Sequence, residues 1–254
     1  MPLRRRRASI SGLVETSDSM WPARKIAETL LPSYVVNSLR RELALTYKRF
    51  RYSRSVRSSI AGLTDYRVNI GCGPQPTPGW INFDVYFAPG VSFWDCRRGL
   101  PFADNSVTAI YLEHVFEHFD PDTEAKPFLR ECMRCLRAGG VLRIVVPDAG
   151  AYLRAYNGGW ESLAAMRPLV QVEGGWQDGW LRNVYRTKME FINAVFRQDF
   201  DHKYAYDAET LALFVRQAGF SDAILQTFGR SADPDMAKDS EARRTESLYI
   251  EGIK

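Results

Sequence analysis

The residues best suited to chemistry lie in one stretch, IYLEHVFEHF, at positions 110–119. It holds His114 and His118, two of the three histidines in the chain, together with Glu117. Imidazole and carboxylate groups bind divalent metal ions, and histidine also exchanges protons near neutral pH. The spacing H-x-x-E-H is itself a zinc-binding signature. Metal binding and acid–base chemistry are therefore both candidate functions, and the surrounding elements have to decide between them.

Further candidate residues follow short β-rich runs: Gly71 and Gly73 after Tyr66–Ile70, Asp84 at the end of 80–84, Asp95 after 91–94, and Asp148 after 141–146. In an open parallel sheet the carboxyl ends of the strands meet at one edge, where ligands bind. Glycine lets the backbone turn tightly and come close to a ligand. Carboxylates at strand ends can accept hydrogen bonds from ribose hydroxyls or from an adenine amino group. The pattern predicts a nucleotide-like cofactor at this edge.

The elements that must position these residues alternate between strands and helices. The apolar spacing predicts these further elements: a fourth strand at 107–112, helices at 123–136 and 207–219, and closing strands at 224–228 and Ser247–Ile253. Such alternation is typical of an α/β fold with a mostly parallel sheet and helices on both faces.

The charge is unevenly distributed along the chain. The net charge is +4, but residues 1–60 contain 13 Lys/Arg and 4 Asp/Glu, so a basic arm precedes a mildly acidic body. No apolar run approaches the roughly 18 residues that span a bilayer, and no apolar core follows the arginines at 4–7, which argues against secretion. One C-x-x-C pair, at 132–135, lies inside a predicted helix, so we expect reduced thiols in a cytoplasmic protein.

The arm is predicted to be disordered over residues 1–20 and helical over 32–52. Its apolar stripe consists of Val36, Leu39, Leu43, Tyr47 and Phe50, and basic residues fill much of the remaining surface. A basic amphipathic helix can lie on anionic lipid or on nucleic acid. We favour a third interpretation, in which the stripe packs on the neighbouring domain and the charges remain solvated.

Four segments carry a specific family resemblance: VNIGCGPQP, INFD, LPFADNSVTAIYLEHVFEH and FLRECMRCLRAGGVLRIVVPD. They resemble class I S-adenosylmethionine-dependent methyltransferases of the type 11 subgroup, many of which act in bacterial surface-polysaccharide pathways. HKYAYDAETLALFVRQAGF is similar to a late helix of that family. The resemblance implies a Rossmann-like, mostly parallel seven-stranded sheet. With the basic arm at 1–60 set apart by its charge, we expect a methyltransferase domain at 61–254, with a substrate lid at about 151–205.

The resemblance further implies which residues bind S-adenosylmethionine: Asn69, Gly71, Cys72, Gly73, Asp84, Asp95, Glu113 and His114. In that set Gly71 and Gly73 pack on the methionine and ribose end, Asp84 holds the ribose hydroxyls, and Asp95 meets the adenine.

Three departures from the family pattern stand out. Asn69 replaces the usual acid, and Gln75 replaces the third glycine of the loop. Asp84 follows Gly73 so closely that the first helix must be truncated or replaced by a loop.

The H-x-x-E-H stretch has three interpretations. A zinc peptidase would need the motif inside a long helix, whereas here it directly follows a strand. Some methyltransferases bind a divalent ion through Glu-x-x-Glu-His at this place, but His114 replaces their first glutamate. We therefore expect no metal and take His118 as the candidate base, with Asp148 and His202 as further catalytic candidates. A purely structural role for His118 stays open.

The expected reaction is O-methylation of a hydroxyl on a glycan or glycolipid precursor. Aromatic residues of the lid, such as Trp160, Trp176 and Trp180, could stack on sugar rings or simply fill a small helical core. If the arm binds an anionic membrane, the enzyme would act at the inner membrane face. A nucleic-acid methyltransferase using the arm, which we regard as less favoured, and a non-catalytic binding module are the alternatives. The oligomeric state is not predicted.

Overall fold

The computed structural model describes residues 30–167, 170–172, 175–177 and 184–254. The expected disorder of residues 1–20 concerns residues outside these ranges. The chain divides into two compact units, Met1–Ala44 and Leu45–Lys254. The second unit contains the sheet and the candidate site.

The second unit is built on a seven-stranded sheet whose strands follow one another in the chain as follows: β1 Tyr66–Ile70, β2 Ile81–Asp84, β3 Ser92–Phe93, β4 Val107–Glu113, β5 Leu136–Pro147, β8 Asp222–Gln226 and β9 Ser247–Ile253. Their order in the sheet is β3-β2-β1-β4-β5-β9-β8. Strands β1 to β5 pair in parallel, and β9 is antiparallel to both of its neighbours. The predicted Rossmann-like, mostly parallel seven-stranded fold is confirmed. A separate two-stranded sheet pairs β6 Val170–Val172 with β7 Gly175–Gln177.

One face of the sheet packs against helices. These are the carboxyl-terminal half of α1 (Ser33–Ile60), α2 (Lys126–Cys135) and α6 (Ala208–Gln217). Helix α2 buries Phe128, Leu129, Cys132 and Cys135, the helical spacing expected of one apolar face. Asp207 caps α6 by accepting a hydrogen bond from Thr210 N at 2.9 Å.

On the opposite face of the sheet, Phe228 and Met236 of the irregular segment 227–246 pack against β4, β5 and β9. Residues 71–80, between β1 and β2, contain no helix. Arg143 on β5 binds the segment 227–246 to the sheet. Its fully buried guanidinium pairs with Asp239 at 2.5 Å and Glu251 at 2.9 Å, and it donates to the carbonyl of Arg230 at 2.8 Å. The replacement of the first helix by a loop, inferred from the sequence, matches this arrangement.

Helix α1 differs from its prediction in length and in the face it buries. It runs to Ile60, eight residues beyond the predicted end, and within the second unit its buried residues are Leu45, Val56 and Ile60. Tyr47 and Phe50, from the predicted packing stripe, are 67% and 87% exposed. The packing interpretation of that stripe is therefore wrong for these two residues, because the helix turns a different face to the sheet.

The described residues of the predicted lid region include the helices α3 Ala149–Gly158, α4 Trp160–Met166 and α5 Lys188–Arg197. They enclose a small apolar core around Tyr152, Leu163 and Phe191. Trp160 packs against this core, as the space-filling interpretation of the lid aromatics expects. Trp180 lies outside the described residues. In the described ranges, no helix is long and apolar enough to cross a membrane.

Candidate active site

The glycine loop after β1 has the backbone geometry that its sequence predicts. Gly71 has φ +68° and Gly73 has φ +55°, both in the region that favours glycine. A methyl group added at Gly71 would lie 2.1 Å from Cγ2 of Val115, whereas nothing lies within 4 Å of the same position at Gly73. The loop is thus pressed against the turn that follows β4 at Gly71 and faces open space at Gly73.

Asp84, at the carboxyl end of β2, holds this loop in place. Its Oδ2 accepts a hydrogen bond from Gly73 N at 2.8 Å, and its Oδ1 accepts one from Tyr86 N at 2.9 Å. Each carboxylate oxygen keeps a second lone pair. Asp84 can therefore organise the loop and still accept hydrogen bonds from a pair of ribose hydroxyls.

Asn69 forms the base of the loop through an amide network. Its Nδ2 donates to Thr77 Oγ1 at 3.1 Å and to Asn82 Oδ1 at 3.4 Å. Cys72 is half-buried, and burial raises the pKa of its thiol to about 11. The contacts of Asn69 are internal to the protein, so its predicted role and that of Cys72 in cofactor binding stay predictions.

Lys238 is a residue of this region that sequence reasoning missed. It donates to Thr77 Oγ1 at 2.6 Å, and its ammonium group lies 4.0 Å from the ring centre of Trp80 and 4.4 Å from that of Tyr111. Burial lowers the pKa of this amine to about 8. Lys238 comes from the segment between β8 and β9, and no local motif marks it.

Asp95, predicted to meet the adenine, is held by two arginines. Its Oδ2 pairs with Arg49 at 2.7 Å and with Arg97 at 2.9 Å, and its Oδ1 accepts a hydrogen bond from Arg97 Nε at 2.9 Å. Burial would raise the pKa of Asp95, but the hydrogen bond and the charge of Arg97, with the charge of Arg49, lower it. Adenine binding by Asp95 stays a prediction, and it would have to share a carboxylate that is already paired.

The turn after β4 brings the histidines together. Residues Phe116–His118 form a 3-10 turn that buries Glu117. His202, from the loop before α6, places its ring 4.7 Å from that of His118. The Nε2 atom of His202 lies 3.8 Å from Glu117 Oε1, and the Nδ1 atom of His114 lies 3.6 Å from the same oxygen. The structure therefore joins two of the three predicted catalytic residues, His118 and His202, around the carboxylate of Glu117, which the sequence analysis placed with His118 in the same motif.

Burial dominates the electrostatics of this cluster. It raises the pKa of Glu117 to about 8. It lowers the pKa of His202 to about 4 and that of His114 to about 3. Two predicted cofactor residues flank the cluster: Glu113 accepts a hydrogen bond from Ser240 N at 2.9 Å, and His114 Nε2 lies 2.9 Å from Ser247 Oγ. Their predicted contact with a cofactor stays a prediction.

Asp148, the third predicted catalytic residue, is the amino-terminal cap of α3. Its Oδ1 accepts a hydrogen bond from Ala151 N at 2.9 Å, and its Oδ2 lies 3.9 Å from Arg154. Asp148 also forms a β-bridge with Tyr206. A catalytic role for Asp148 stays a prediction beside this observed capping role.

Comparison with protein families matches residues 92–144 to a family described as "Methyltransferase domain", type 11. The match runs from β3 through the turn that carries Glu117 and His118 into β5. Residues 92–144 of the chain are thus similar to a methyltransferase domain. No curated protein sequence matches the chain.

Three solved structures are similar to this chain. A SAM-dependent methyltransferase from Archaeoglobus fulgidus is 17% identical, with 79% of this chain and 94% of that chain covered and a TM-score of 0.44. One from Mesorhizobium loti is 14% identical, with 79% and 96% covered and a TM-score of 0.42. Phosphoethanolamine N-methyltransferase 2 of Haemonchus contortus, in complex with S-adenosyl-L-methionine, is 10% identical, with 79% and 51% covered and a TM-score of 0.41.

The residues at this edge of the sheet fit S-adenosylmethionine as cofactor. The open space at Gly73 admits a ligand close to the backbone, and Asp84 at the adjoining strand end retains lone pairs for ribose hydroxyls. When bound, the cofactor supplies an electrophilic methyl group on a sulfonium. The protein has to align that methyl group with an acceptor and to take up the acceptor's proton.

Proposed function

We propose that the enzyme methylates a hydroxyl group of a glycan or glycolipid precursor. The observation that supports this is the histidine and carboxylate cluster of Glu117, His118 and His202. Glu117 and His118 belong to the turn after β4, whose Val115 presses on the glycine loop. An alcohol is a poor nucleophile and reacts faster when its proton is accepted as the bond forms. Histidines beside the cofactor edge suit a hydroxyl acceptor.

The reaction is an in-line displacement. The acceptor oxygen attacks the methyl carbon as the carbon–sulfur bond breaks, which releases the methyl ether and S-adenosylhomocysteine. The proton of the hydroxyl passes to a group of the cluster, with His118 as the sequence-based candidate. Catalysis comes from holding oxygen, carbon and sulfur in line and from accepting this proton.

We also propose that α1 lies on an anionic membrane surface, which would bring the enzyme to a lipid-linked acceptor at the cytoplasmic face. Tyr47 and Phe50 are exposed, and Arg51 and Arg54 follow them at intervals of four residues, on the same side of the helix. Exposed aromatic rings beside arginines suit an interface of acyl chains and acidic headgroups. Nucleic acid is less well supported as a partner. Of the basic residues of the helix, Lys48 donates to the carbonyl of Val85 and Arg49 pairs with Asp95.

Calorimetric titration of S-adenosylmethionine and S-adenosylhomocysteine into wild type and Asp84→Ala tests the cofactor site. Binding that is strongly weakened in the variant is expected. Transfer of a radiolabelled methyl group to lipid-linked oligosaccharides, with nucleic acid as a parallel acceptor, then tests the substrate class. Incorporation into nucleic acid alone would refute the glycan proposal.

Flotation with vesicles containing phosphatidylglycerol tests the membrane proposal. Wild type should float with anionic vesicles and not with neutral ones. A Tyr47→Ser/Phe50→Ser variant should float less, because it loses the exposed rings. Equal flotation of both proteins would contradict a role for this face.

A further inference from the structure

All three histidines of the sequence surround one buried carboxylate. The ligand atoms of Glu117, His118 and His202 lie within 4.8 Å of one another. The rings of His118 and His202 meet edge to face at 80°. A tetrahedral site with bonds of about 2.0–2.1 Å requires its donor atoms to be roughly 3.4 Å apart. The three donor atoms would reach that spacing if the distances between them shortened by about 1–1.5 Å.

Glu117 is the observation that calls for a ligand. Its residue is 2% exposed, and in the described part of the chain neither of its side-chain oxygens has a hydrogen-bond partner. A buried carboxylate without a partner is costly, because it has given up its hydration without replacement. A cation bound between Glu117 and the histidines would restore that lost interaction.

The orientation of the two histidine rings suits metal binding. His118 Nδ1 lies 3.2 Å from the carbonyl oxygen of Asp201, and His202 Nδ1 lies 2.7 Å from that of Val195. A carbonyl oxygen can only accept, so each Nδ1 must carry the proton, and Nε2 is left as the nitrogen with a lone pair. Metal-binding histidines are commonly oriented in this way, with the other ring nitrogen donating to a backbone carbonyl.

The backbone holds the two halves of this cluster together. The carbonyl of Glu117 accepts hydrogen bonds from Lys203 N at 2.8 Å and from Tyr204 N at 3.3 Å. The segment that carries His202 is thereby tied to the turn that carries Glu117 and His118. The two segments that carry the donor atoms are therefore held together by main-chain contacts.

We propose that Glu117, His118 and His202 bind one divalent transition-metal ion. Two imidazole nitrogens and one carboxylate oxygen favour Zn²⁺ or a similar ion over Mg²⁺ and Ca²⁺, which prefer oxygen ligands. Three protein ligands leave a coordination position open, as in catalytic zinc sites. This differs from the sequence-based expectation of no metal, because sequence spacing does not show that His202 joins the motif.

The open coordination position on the ion could bind the acceptor hydroxyl, an inference that rests on the proposed function. An acceptor hydroxyl bound to the ion would have a lowered pKa and would attack the methyl group as an alkoxide-like nucleophile. Activation of the hydroxyl would then belong to the ion, with His118 as its ligand. Binding of the metal itself does not depend on which acceptor is used.

The test is metal binding to the full-length protein after treatment with a chelator and dialysis. Calorimetric titration with Zn²⁺ should show one ion per chain. Glu117→Gln and His202→Asn should each weaken binding at least about tenfold. Titration with Co²⁺ should give visible absorption bands without sulfur-to-cobalt charge transfer. Cys72→Ser, the matched control for the half-buried thiol, should bind as wild type does.

Three results would overturn the proposal: no stoichiometric binding to wild type, equal Zn²⁺ affinity in the Glu117→Gln/His202→Asn variant, or a cobalt–thiolate band that Cys72→Ser abolishes. Titration of S-adenosylhomocysteine into the same samples monitors the fold and the cofactor site. If cofactor binding persists while metal binding fails, the metal proposal alone is refuted. If the cofactor also fails to bind wild type, the proposed function falls separately.

Discussion

Gly71→Ala provides a quantitative test of how the glycine loop meets the turn after β4. An alanine at φ +68° costs about 1–2 kcal/mol in backbone conformation. Its methyl group would also lie 2.1 Å from Cγ2 of Val115, an overlap that costs a further ~1–3 kcal/mol to relieve. Urea unfolding should therefore show a loss of about 2–5 kcal/mol in the free energy of unfolding.

A second substitution separates the two contributions. In a Val115→Ala background the overlapping methyl group is gone, so Gly71→Ala should cost only the backbone contribution of about 1–2 kcal/mol. Gly73→Ala is the matched control. It also has positive φ but meets nothing within 4 Å, so it should cost a similar ~1–2 kcal/mol whether or not Val115 is present.

The double-mutant cycle should thus give a coupling of about 1–3 kcal/mol between positions 71 and 115, and none between 73 and 115. Equal costs for Gly71→Ala in both backgrounds would refute the close contact on which the geometry of the site depends. Titration of S-adenosylmethionine in the same samples adds a second measurement. Gly73→Ala should weaken binding, because its methyl group enters the open space assigned to the cofactor.

Three further predictions concern buried charges. Arg143→Met should destabilise the protein by about 3–5 kcal/mol in urea unfolding, because two buried carboxylates lose their cation; a loss below about 1 kcal/mol would contradict this. Glu246, a buried residue just before β9, pairs with Arg167 and with Arg243. Burial would raise its pKa, but the charge of Arg167, with smaller contributions that include Arg243, lowers the pKa to about 2. Its roughly 3 kcal/mol of stabilisation is present above pH ~4.5 and lost as the pH falls towards 2, so acid should destabilise wild type more than Glu246→Gln. Arg97→Ala should cost more unfolding free energy than Arg49→Ala, since the Arg97 side chain makes two hydrogen bonds to Asp95 and the Arg49 side chain makes one; equal losses would show that the pairing geometry does not matter.

Local signals predicted the sheet well. The strand Tyr66–Ile70 and the strand Ser247–Ile253 have the predicted bounds, because each is a β-rich run between clear turn residues. The glycine loop and the position of Asp84 also follow from local sequence. These features depend on backbone propensity and on the order of strands, which short segments determine.

Features that depend on long-range contacts could not be predicted in this way. The apolar spacing of α1 did not show which face is buried, because Tyr47 and Phe50 continue the stripe yet remain exposed. The pairing of Arg49 with Asp95, the position of Lys238 and the approach of His202 to Glu117 each join distant segments. A single sequence contains no spacing rule for such pairs.

The place of β9 in the sheet has a consequence for biosynthesis. This strand follows every other strand in the chain, yet it lies between β5 and β8. While the ribosome is still making the segment before β9, both neighbours have an unpaired edge, and unpaired strand edges promote aggregation. We therefore expect nascent chains that are halted before residue 247 to need chaperones more than chains halted at other stages. Pairing of β9 with β5 and β8 would complete the sheet from its interior.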